Sequence, residues 1–231
     1  MKKIFALLLS AALLVTLLAA CGGGNTTDTD TDAQEPATDA STTQVEEQEP
    51  DTGDASKDDP LNQDEIGEKE LLVVSFGTSY NDSRRETIGA IEKAMQTAFP
   101  DYSVRRAFTS QIIIDHVKDR DGVTIDNVEQ ALERAVDNGV KTLVVQPTHL
   151  MNGLEYKELT DELAKYSDSF EKIAIGDPLL TSDADFEAVM TAITDATKDA
   201  ADGKTAICFM GHGTTADSNS VYSKMQTLLT D

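Results

Sequence analysis

A histidine between two glycines is the residue of this chain best suited to chemistry. The apolar run of residues 207–210 leads directly into Gly211, His212 and Gly213. Such a run predicts a strand buried on both faces of a parallel sheet, and the glycines allow a sharp turn at its carboxyl end. An imidazole there can accept a proton or bind a divalent metal near neutral pH. The alternative is an ordinary hydrogen-bonded histidine in a strand-to-helix loop.

Two further residues could serve the same chemistry. His149 follows another apolar run, and Glu155 comes shortly after it. Metal insertion into a macrocycle needs imidazoles that hold a divalent ion loosely and accept a pyrrole proton, and a carboxylate that balances charge. Most proteins could supply two histidines and a glutamate, so these residues alone do not decide the function. His116 falls inside a predicted helix, and we interpret it as structural or surface-exposed.

The apolar run at residues 71–75 ends in the same way as the run before His212. It leads into Gly77 and Thr78 and then into polar residues that open a helix. We interpret the two stretches as one strand-turn-helix device used twice, which predicts one complete α/β lobe and the beginning of a second. Because ligands of open α/β sheets bind at the carboxyl ends of the strands, four residues are expected to meet there: Thr78, Ser79, His149 and His212.

Four arginines are the main candidates to meet an anionic substrate, because the rest of the predicted domain is acidic. They are Arg84, Arg85, Arg105 and Arg106. The alternative for at least two of them is ion pairing at the surface.

Strands and helices alternate along the chain. Strands are predicted at residues 70–76, 102–108, 141–146 and 172–175. Helices are predicted at residues 82–98, 109–116, 127–138, 155–165, 182–200 and 218–229, and Ser83 with Glu86 fits a capping box in the first of them. The alternation indicates βαβ units and an α/β fold with a Rossmann-like parallel sheet. No nucleotide cofactor is expected, because neither Gly-x-Gly-x-x-Gly nor a Walker lysine is present.

Composition narrows the range of functions. The 231 residues carry a formal net charge of -23, which argues against nucleic acid or an anionic membrane surface as a partner. The two cysteines, Cys21 and Cys208, lie in different settings. Cys208 is expected to be a small buried thiol, and no disulfide framework or cysteine-based metal site is available.

The first 68 residues predict export and a tether. Lys2 and Lys3 precede a short apolar run, and Leu-Ala-Ala-Cys ends at Cys21. Residues 1–21 therefore predict an export signal, and their ending resembles the bacterial lipobox. That resemblance implies a lipid on Cys21 and an extracytoplasmic, membrane-anchored lipoprotein. The alternative is an ordinary cleaved signal with a chance cysteine. Residues 22–68 are acidic and poor in large apolar residues, which predicts a disordered linker.

Several ordered motifs give the chain, from about Leu71 to its end, a resemblance to the anaerobic cobalt chelatases of the CbiK type. The motifs are Leu-Val-Val-Ser-Phe-Gly-Thr-Ser-Tyr at 72–80, Arg-Ala-Phe-Thr-Ser at 106–110, Arg-Asp-Gly at 120–122, His149 with Asn152-Gly153 and Glu155, Pro178-Leu179-Leu180, and Phe209-Met210-Gly211-His212-Gly213. The resemblance implies insertion of Co²⁺ into sirohydrochlorin, a tetrapyrrole, on the anaerobic route to cobalamin. Relatives also insert Fe²⁺.

The same resemblance implies roles for individual residues. His212 is similar to the family's metal-binding histidine and proton acceptor. The tetrapyrrole-facing loop and the cleft correspond to Phe76, Gly77, Thr78, Ser79, His149 and Glu155. It also implies two Rossmann-like lobes, with residues 69–203 as the first and residues 204–231 as the start of the second.

The resemblance also implies a departure from the family. Its remaining metal ligands, a glutamate and a second histidine, belong to the second lobe beyond Asp231, so we expect an incomplete site in a C-terminally truncated member of the family. The sequence is then a fragment of a longer gene product, and the alternative is a natural truncation. The alternative function is a non-catalytic lipoprotein that binds a tetrapyrrole or a metal for an uptake system. A homo-oligomer is also compatible with the sequence.

Overall fold

A four-stranded parallel sheet is the centre of the fold. The computed structural model describes residues 51–230, so the predicted export signal and Cys21 lie outside the described residues. The strands are β1 (Lys69–Ser75), β2 (Ser103–Phe108), β3 (Thr142–Pro147) and β4 (Lys172–Ile175), and their order in the sheet is β2-β1-β3-β4. Every neighbouring pair is parallel. The predicted α/β class with a Rossmann-like parallel sheet is confirmed.

Helices cover both faces of this sheet. They are α1 (Asn81–Glu86), α2 (Ile88–Ala98), α3 (Gln111–Asp121), α4 (Val128–Asp137), α5 (Leu154–Ala164), α6 (Asp183–Thr197) and α7 (Ser220–Thr230). On one face Leu72 and Val74 of β1 pack with α4 and α5, and on the other Leu71 and Val73 pack near Met95 of α2. Such two-sided burial explains the continuous apolar run of β1. No helix within residues 51–230 is both long and apolar enough to span a membrane.

The predicted elements match the structure closely, with exceptions at helix starts and at the end of α3, which continues to Asp121 beyond the predicted residue 116. The predicted helix at residues 82–98 is divided at Thr87 into α1 and α2, and its predicted capping box at Ser83 is wrong. The residue before α1 is Tyr80, which makes no side-chain cap. Capping boxes stand instead at Asn127 before α4 and at Ser182 before α6.

The predicted strand at residues 207–210 is wrong. No strand that the structure describes pairs with this segment, and Phe209 and Met210 are 54% and 98% exposed. Because a strand exists only through hydrogen bonds to a neighbour, the apolar run remains irregular. The expected burial of Cys208 is wrong for the same reason, since its thiol is exposed. In the second of the two predicted strand-turn-helix stretches, the turn and the helix are therefore present and the strand is not.

Two of the four arginines form one buried ion cluster. The Arg84 Nε lies 2.5 Å from an Asp58 carboxylate oxygen, and Arg106 contacts Asp58 at 2.8 Å and Glu92 at 2.6 Å. All four side chains are buried. Burial alone would raise the pKa of Asp58, but its bonds to Arg106 and Arg84 outweigh burial and leave that pKa below its ordinary value.

The third arginine is buried on the opposite face of β2. Arg105 contacts Glu70 at 3.3 Å and Asp126 at 2.9 Å. The fourth, Arg85, is partly exposed and bonds to Asp82 at 2.7 Å. Each of the four guanidinium groups thus has a carboxylate partner within the protein, and the three buried ones cannot reach a ligand at the surface. The prediction that these arginines are the main anion-binding groups is wrong for the three buried side chains.

The end of the predicted linker belongs to the folded domain. Over residues 51–68 the structure differs from the predicted disorder: a short 3₁₀ helix spans Ala55–Lys57, and Leu61 and Asp58 are buried. The Leu61 carbonyl accepts a hydrogen bond from the Arg106 amide at 3.0 Å. Residues 51–230 belong to one compact unit, and the boundary predicted near residue 203 stays a prediction.

Candidate active site at the carboxyl ends of the strands

A cavity of about 420 Å³ lies where the chain leaves β1 and β3. Its walls include Phe76 after β1, His149 after β3, Glu155 in the first turn of α5 and His212 before α7. The carboxyl ends of parallel strands are the usual ligand-binding edge of an open α/β sheet. Four of the residues singled out in the sequence are therefore neighbours around one cavity.

The cavity depends on the turn that follows β1. Gly77 has a φ of +102°, and a Cβ there would lie 2.5 Å from the ring of Phe108. Only glycine fits such a position without strain. The turn leaves Phe76 52% exposed at the cavity wall, whereas Gly77, Thr78 and Ser79 do not line it. These three predicted substrate-binding residues thus lie outside the cavity wall, in the turn that places Phe76 there.

His149 is the half-buried imidazole of the site. Neither ring nitrogen has a hydrogen-bond partner among the described residues. Burial lowers the pKa of His149, and the charge of Glu155 opposes that shift. The ring is therefore neutral at neutral pH, with a free nitrogen lone pair. Such a group can bind a metal or accept a proton.

His212 is exposed at the cavity, in a turn held by α7. Gly213 has a φ of +79°, and its amide donates to the Tyr222 hydroxyl at 3.2 Å. A Cβ on Gly211 would lie 2.1 Å from the Tyr222 ring. The two glycines therefore serve different purposes, since Gly213 makes the turn and Gly211 allows the tyrosine to pack against the backbone.

Glu155 adds negative charge to the wall. Its carboxylate is exposed at the start of α5. Burial lowers the pKa of His149, and the charge of Glu155 acts in the opposite direction. Within residues 51–230 no group of three or more histidine, cysteine, aspartate or glutamate side chains is arranged to hold a metal ion. The three polar side chains thus share the cavity without forming a closed metal cage. His116, outside the cavity, is exposed on α3 as expected.

The sequence analysis missed several wall residues, among them Tyr222, Met151 and Thr148. Tyr222 anchors the His212 turn, Met151 is buried at the base of the wall, and the Thr148 hydroxyl donates to Ser75 at 2.8 Å. Thr148 and Met151 flank His149 in sequence, so adjacency to that histidine could have identified them. Nothing local marks Tyr222, because its contact depends on how α7 packs.

A larger apolar cavity adjoins the first. It has a volume of about 830 Å³ between α6, α7 and residues 207–211. Leu150, Gly213 and Tyr222 belong to the walls of both cavities.

The fold and site define an α/β protein with a cavity at the strand ends that imidazole, carboxylate and aromatic side chains line. The model of the cobalt chelatase (CbiK) family matches residues 69–231. The chain belongs to this family. The match confirms the family that the sequence motifs indicated.

Two curated relatives are similar over the same part of the chain. The sirohydrochlorin cobaltochelatase of Salmonella typhimurium is 35% identical over 162 residues, which cover 70% of this chain and 61% of that protein. The sirohydrochlorin cobaltochelatase CbiKC of Nitratidesulfovibrio vulgaris is 29% identical over 163 residues, which cover 70% of this chain and 57% of that protein. The chain thus spans about three fifths of the length of these relatives.

Proposed function

We propose that this protein is a metal chelatase that inserts Co²⁺ into sirohydrochlorin. The observation that carries the proposal is the cavity in which Phe76, His149, Glu155 and His212 meet, in a chain whose family and relatives are cobalt chelatases. The exposed aromatic face suits a flat macrocycle. Imidazole nitrogens and a carboxylate suit a borderline divalent ion.

The chemistry requires two proton transfers. As Co²⁺ enters the macrocycle, two pyrrole N–H bonds break and the metal takes their place. His212 is exposed at the cavity and can hold the ion, and once the ion has passed to the macrocycle its freed nitrogen can accept one of the two protons. The neutral His149 can accept the second proton. Glu155 balances the positive charge that accumulates on the imidazoles. An open set of donors suits a metal that must be passed on.

Replacement of His212 tests the proposal. We expect His212→Ala to lower the rate of cobalt insertion by about 100-fold or more, while sirohydrochlorin binding changes little. Insertion is followed by the absorbance change of the tetrapyrrole, and binding is titrated without metal. His116→Ala, which removes an exposed histidine on α3, is the matched control and should keep the wild-type rate.

Two outcomes of this comparison would contradict parts of the proposal. Equal insertion rates in His212→Ala and the wild type would contradict the assigned role of His212. Tight binding of sirohydrochlorin by the wild type without insertion would contradict catalysis, and would support the alternative of a tetrapyrrole-binding lipoprotein.

The choice of metal is a finer part of the proposal. We infer that Fe²⁺ is also inserted, because imidazole and carboxylate donors bind both ions and do not select between them by softness. Anaerobic competition between Co²⁺ and Fe²⁺ at equal concentrations measures the preference. Insertion of Co²⁺ alone would overturn this inference.

Tethering outside the cytoplasmic membrane is a separate proposal. It is supported by the sequence Leu-Ala-Ala-Cys ending at Cys21. Acyl chains on one cysteine would anchor the protein more firmly than a single myristoyl group, and the acidic residues that follow would act as a spacer.

A further inference from the structure

The segment that precedes the region matched by the family model is hydrogen-bonded to the start of α1. The Thr52 carbonyl accepts from the Asp82 amide at 2.9 Å, and the Gly53 carbonyl accepts from the Asn81 side chain at 3.1 Å. Gly53 has a φ of +90°, and its Cα lies close to the Asp82 carboxylate. We name residues 51–58 the strap.

The strap ends in a carboxylate that neutralises a buried arginine. Asp58 is hydrogen-bonded to the Arg84 Nε at 2.5 Å, and the Arg84 side chain is fully buried. Arg106 shares Asp58 but also has Glu92. Among the described residues, Asp58 is the carboxylate that pairs with Arg84. Removal of Asp58 would leave the buried Arg84 without its direct ion-pair partner, which is a costly state. The charge of Asp121 also acts on Arg84, but without an ion pair.

Arg84 in turn holds the loop that follows β1. Its Nη1 donates to the Thr78 carbonyl at 3.1 Å, and its Nη2 donates to the Asn81 side chain at 2.5 Å. The Ser79 carbonyl accepts from Arg120 at 2.6 Å. The loop of residues 76–80 is thereby fixed through its carbonyl oxygens, and it carries Phe76 into the cavity.

We propose that the strap positions the loop of residues 76–80 for tetrapyrrole binding, with Asp58 acting through Arg84. Asp58 and Arg84 are positioning residues, because both are buried and neither lines the cavity. The family match begins at residue 69, so the strap lies outside the matched region. The link to tetrapyrrole binding rests on the proposed function, whereas the link between strap and loop does not.

Hydrogen exchange in the ligand-free protein tests the link between strap and loop. Asp58→Asn should increase exchange in peptides that cover residues 76–84 by about tenfold, the effect of losing one charged hydrogen bond, and leave peptides from β1 and β3 unchanged. Glu65→Gln removes an exposed carboxylate that follows the strap in the sequence and should change neither. Unchanged exchange at residues 76–84 in Asp58→Asn would overturn the proposal.

Kinetics test the consequence for the substrate. With Asp58→Asn the KM for sirohydrochlorin should rise about tenfold while kcat stays within about twofold, because the loop contributes binding and the reacting groups are intact. A loss of folded protein alone would lower the apparent kcat and leave KM unchanged, and that result would overturn the positioning role. If the wild type shows no insertion, the proposed function fails, while the exchange experiment still decides the structural link.

A second variant covers the case in which Asp58→Asn does not fold. Gly53→Val places a β-branched residue at a φ of +90° beside Asp82 and displaces the strap without a change of charge. Gly67→Val is the matched control, since Gly67 has a φ of +86° with open space around it. Faster exchange at residues 76–84 in Gly53→Val alone supports the proposal, and equal exchange in both variants overturns it.

Discussion

A half-buried imidazole without hydrogen bonds is unusual in a protein unless it has a role in a binding or catalytic site. His149 is such a residue, with both nitrogens unpartnered among the described residues. Burial lowers the pKa of His149, and Glu155 partly opposes the effect. The neutral form, which binds metal, therefore persists to lower pH than in an exposed histidine.

This state of His149 can be measured directly. We expect NMR titration of the ring to give a pKa below 6.5 in the ligand-free protein, the ordinary value for histidine. Glu155→Gln should lower the pKa of His149 further, since it removes the charge that favours the imidazolium. A His149 pKa at or above 6.5, or one that rises in Glu155→Gln, would contradict the assigned environment.

Glu70 gives a prediction for stability. Burial raises the pKa of Glu70 to about 7, although Arg105 opposes that shift. The folded-state pKa of Glu70 lies above the unfolded value of 4.5. The contribution of Glu70 to the free energy of unfolding is therefore fully present below about pH 4.5 and is lost as the pH rises to about 7. The loss amounts to at most about 3 kcal/mol.

Denaturant unfolding of the wild type and Glu70→Gln at several pH values measures this contribution. The difference in their free energies of unfolding should change by up to about 3 kcal/mol between pH 4.5 and 7, in favour of the variant at the higher pH. Comparison with the variant cancels the other titrating groups. A difference that does not depend on pH would show that Arg105 keeps Glu70 ionised throughout.

Individual residues were only partly predictable from the sequence. Phe76, His149, Glu155 and His212 could be found because each follows an apolar strand pattern or a glycine turn. The arginines could not be assigned, since their carboxylate partners lie far away in sequence: Arg106 pairs with Asp58 across 48 residues. The catalytic and binding roles of the site residues stay predictions.

At the scale of elements, the turn that carries His212 depends on α7. Gly211→Ala would push a methyl group into the Tyr222 ring, 2.1 Å away, and disturb the bond from Gly213 to the tyrosine hydroxyl. We expect the affinity for Co²⁺, measured by calorimetry without tetrapyrrole, to fall about tenfold, as is usual when a partner that orients a ligand is lost.

A double-variant cycle provides the control for this prediction. Tyr222→Ala removes the ring that the new methyl group would meet. Gly211→Ala in that background should therefore have little further effect on Co²⁺ affinity. Fully additive effects of the two substitutions would contradict the packing explanation.

Helices and strands were predictable where local pattern and tertiary packing agree. β4 begins and ends as predicted, and the bounds of β1, β2 and β3 differ by a residue. The failure at residues 207–210 has a tertiary cause, because an apolar pattern cannot supply the neighbouring strand. The start of α1 also has a tertiary cause, since the Thr52 carbonyl of the strap accepts from the Asp82 amide, which a capping side chain would otherwise do.

At the scale of the whole molecule, the proposed lipid on Cys21 would confine the domain to a membrane surface. Expression in a bacterial host with radiolabelled palmitate should label the wild type, and Cys21→Ser should be unlabelled and released from the membrane fraction. Cys208→Ser is the matched control, because it removes the other cysteine of the sequence. Equal labelling of wild type and Cys21→Ser would contradict lipidation at that residue.

The composition does not show how the charged residues are divided between the core and the surface. The sequence has 42 acidic and 19 basic residues, and three of its arginines are sequestered inside the domain with carboxylates. Within residues 51–230 four carboxylates are buried with them, so the buried charges nearly cancel. The excess of acids over bases remains outside the core, which favours the approach of Co²⁺ by electrostatic attraction.

The common wall of Leu150, Gly213 and Tyr222 has a practical consequence for purification. A detergent tail that enters the apolar cavity would press on the same three residues that border the histidines. Since linkage is reciprocal, any loss of cobalt affinity caused by detergent must be matched by an equal loss of detergent affinity caused by cobalt. Assays in micelles and in detergent-free buffer would then give different dissociation constants for Co²⁺ with the same polypeptide.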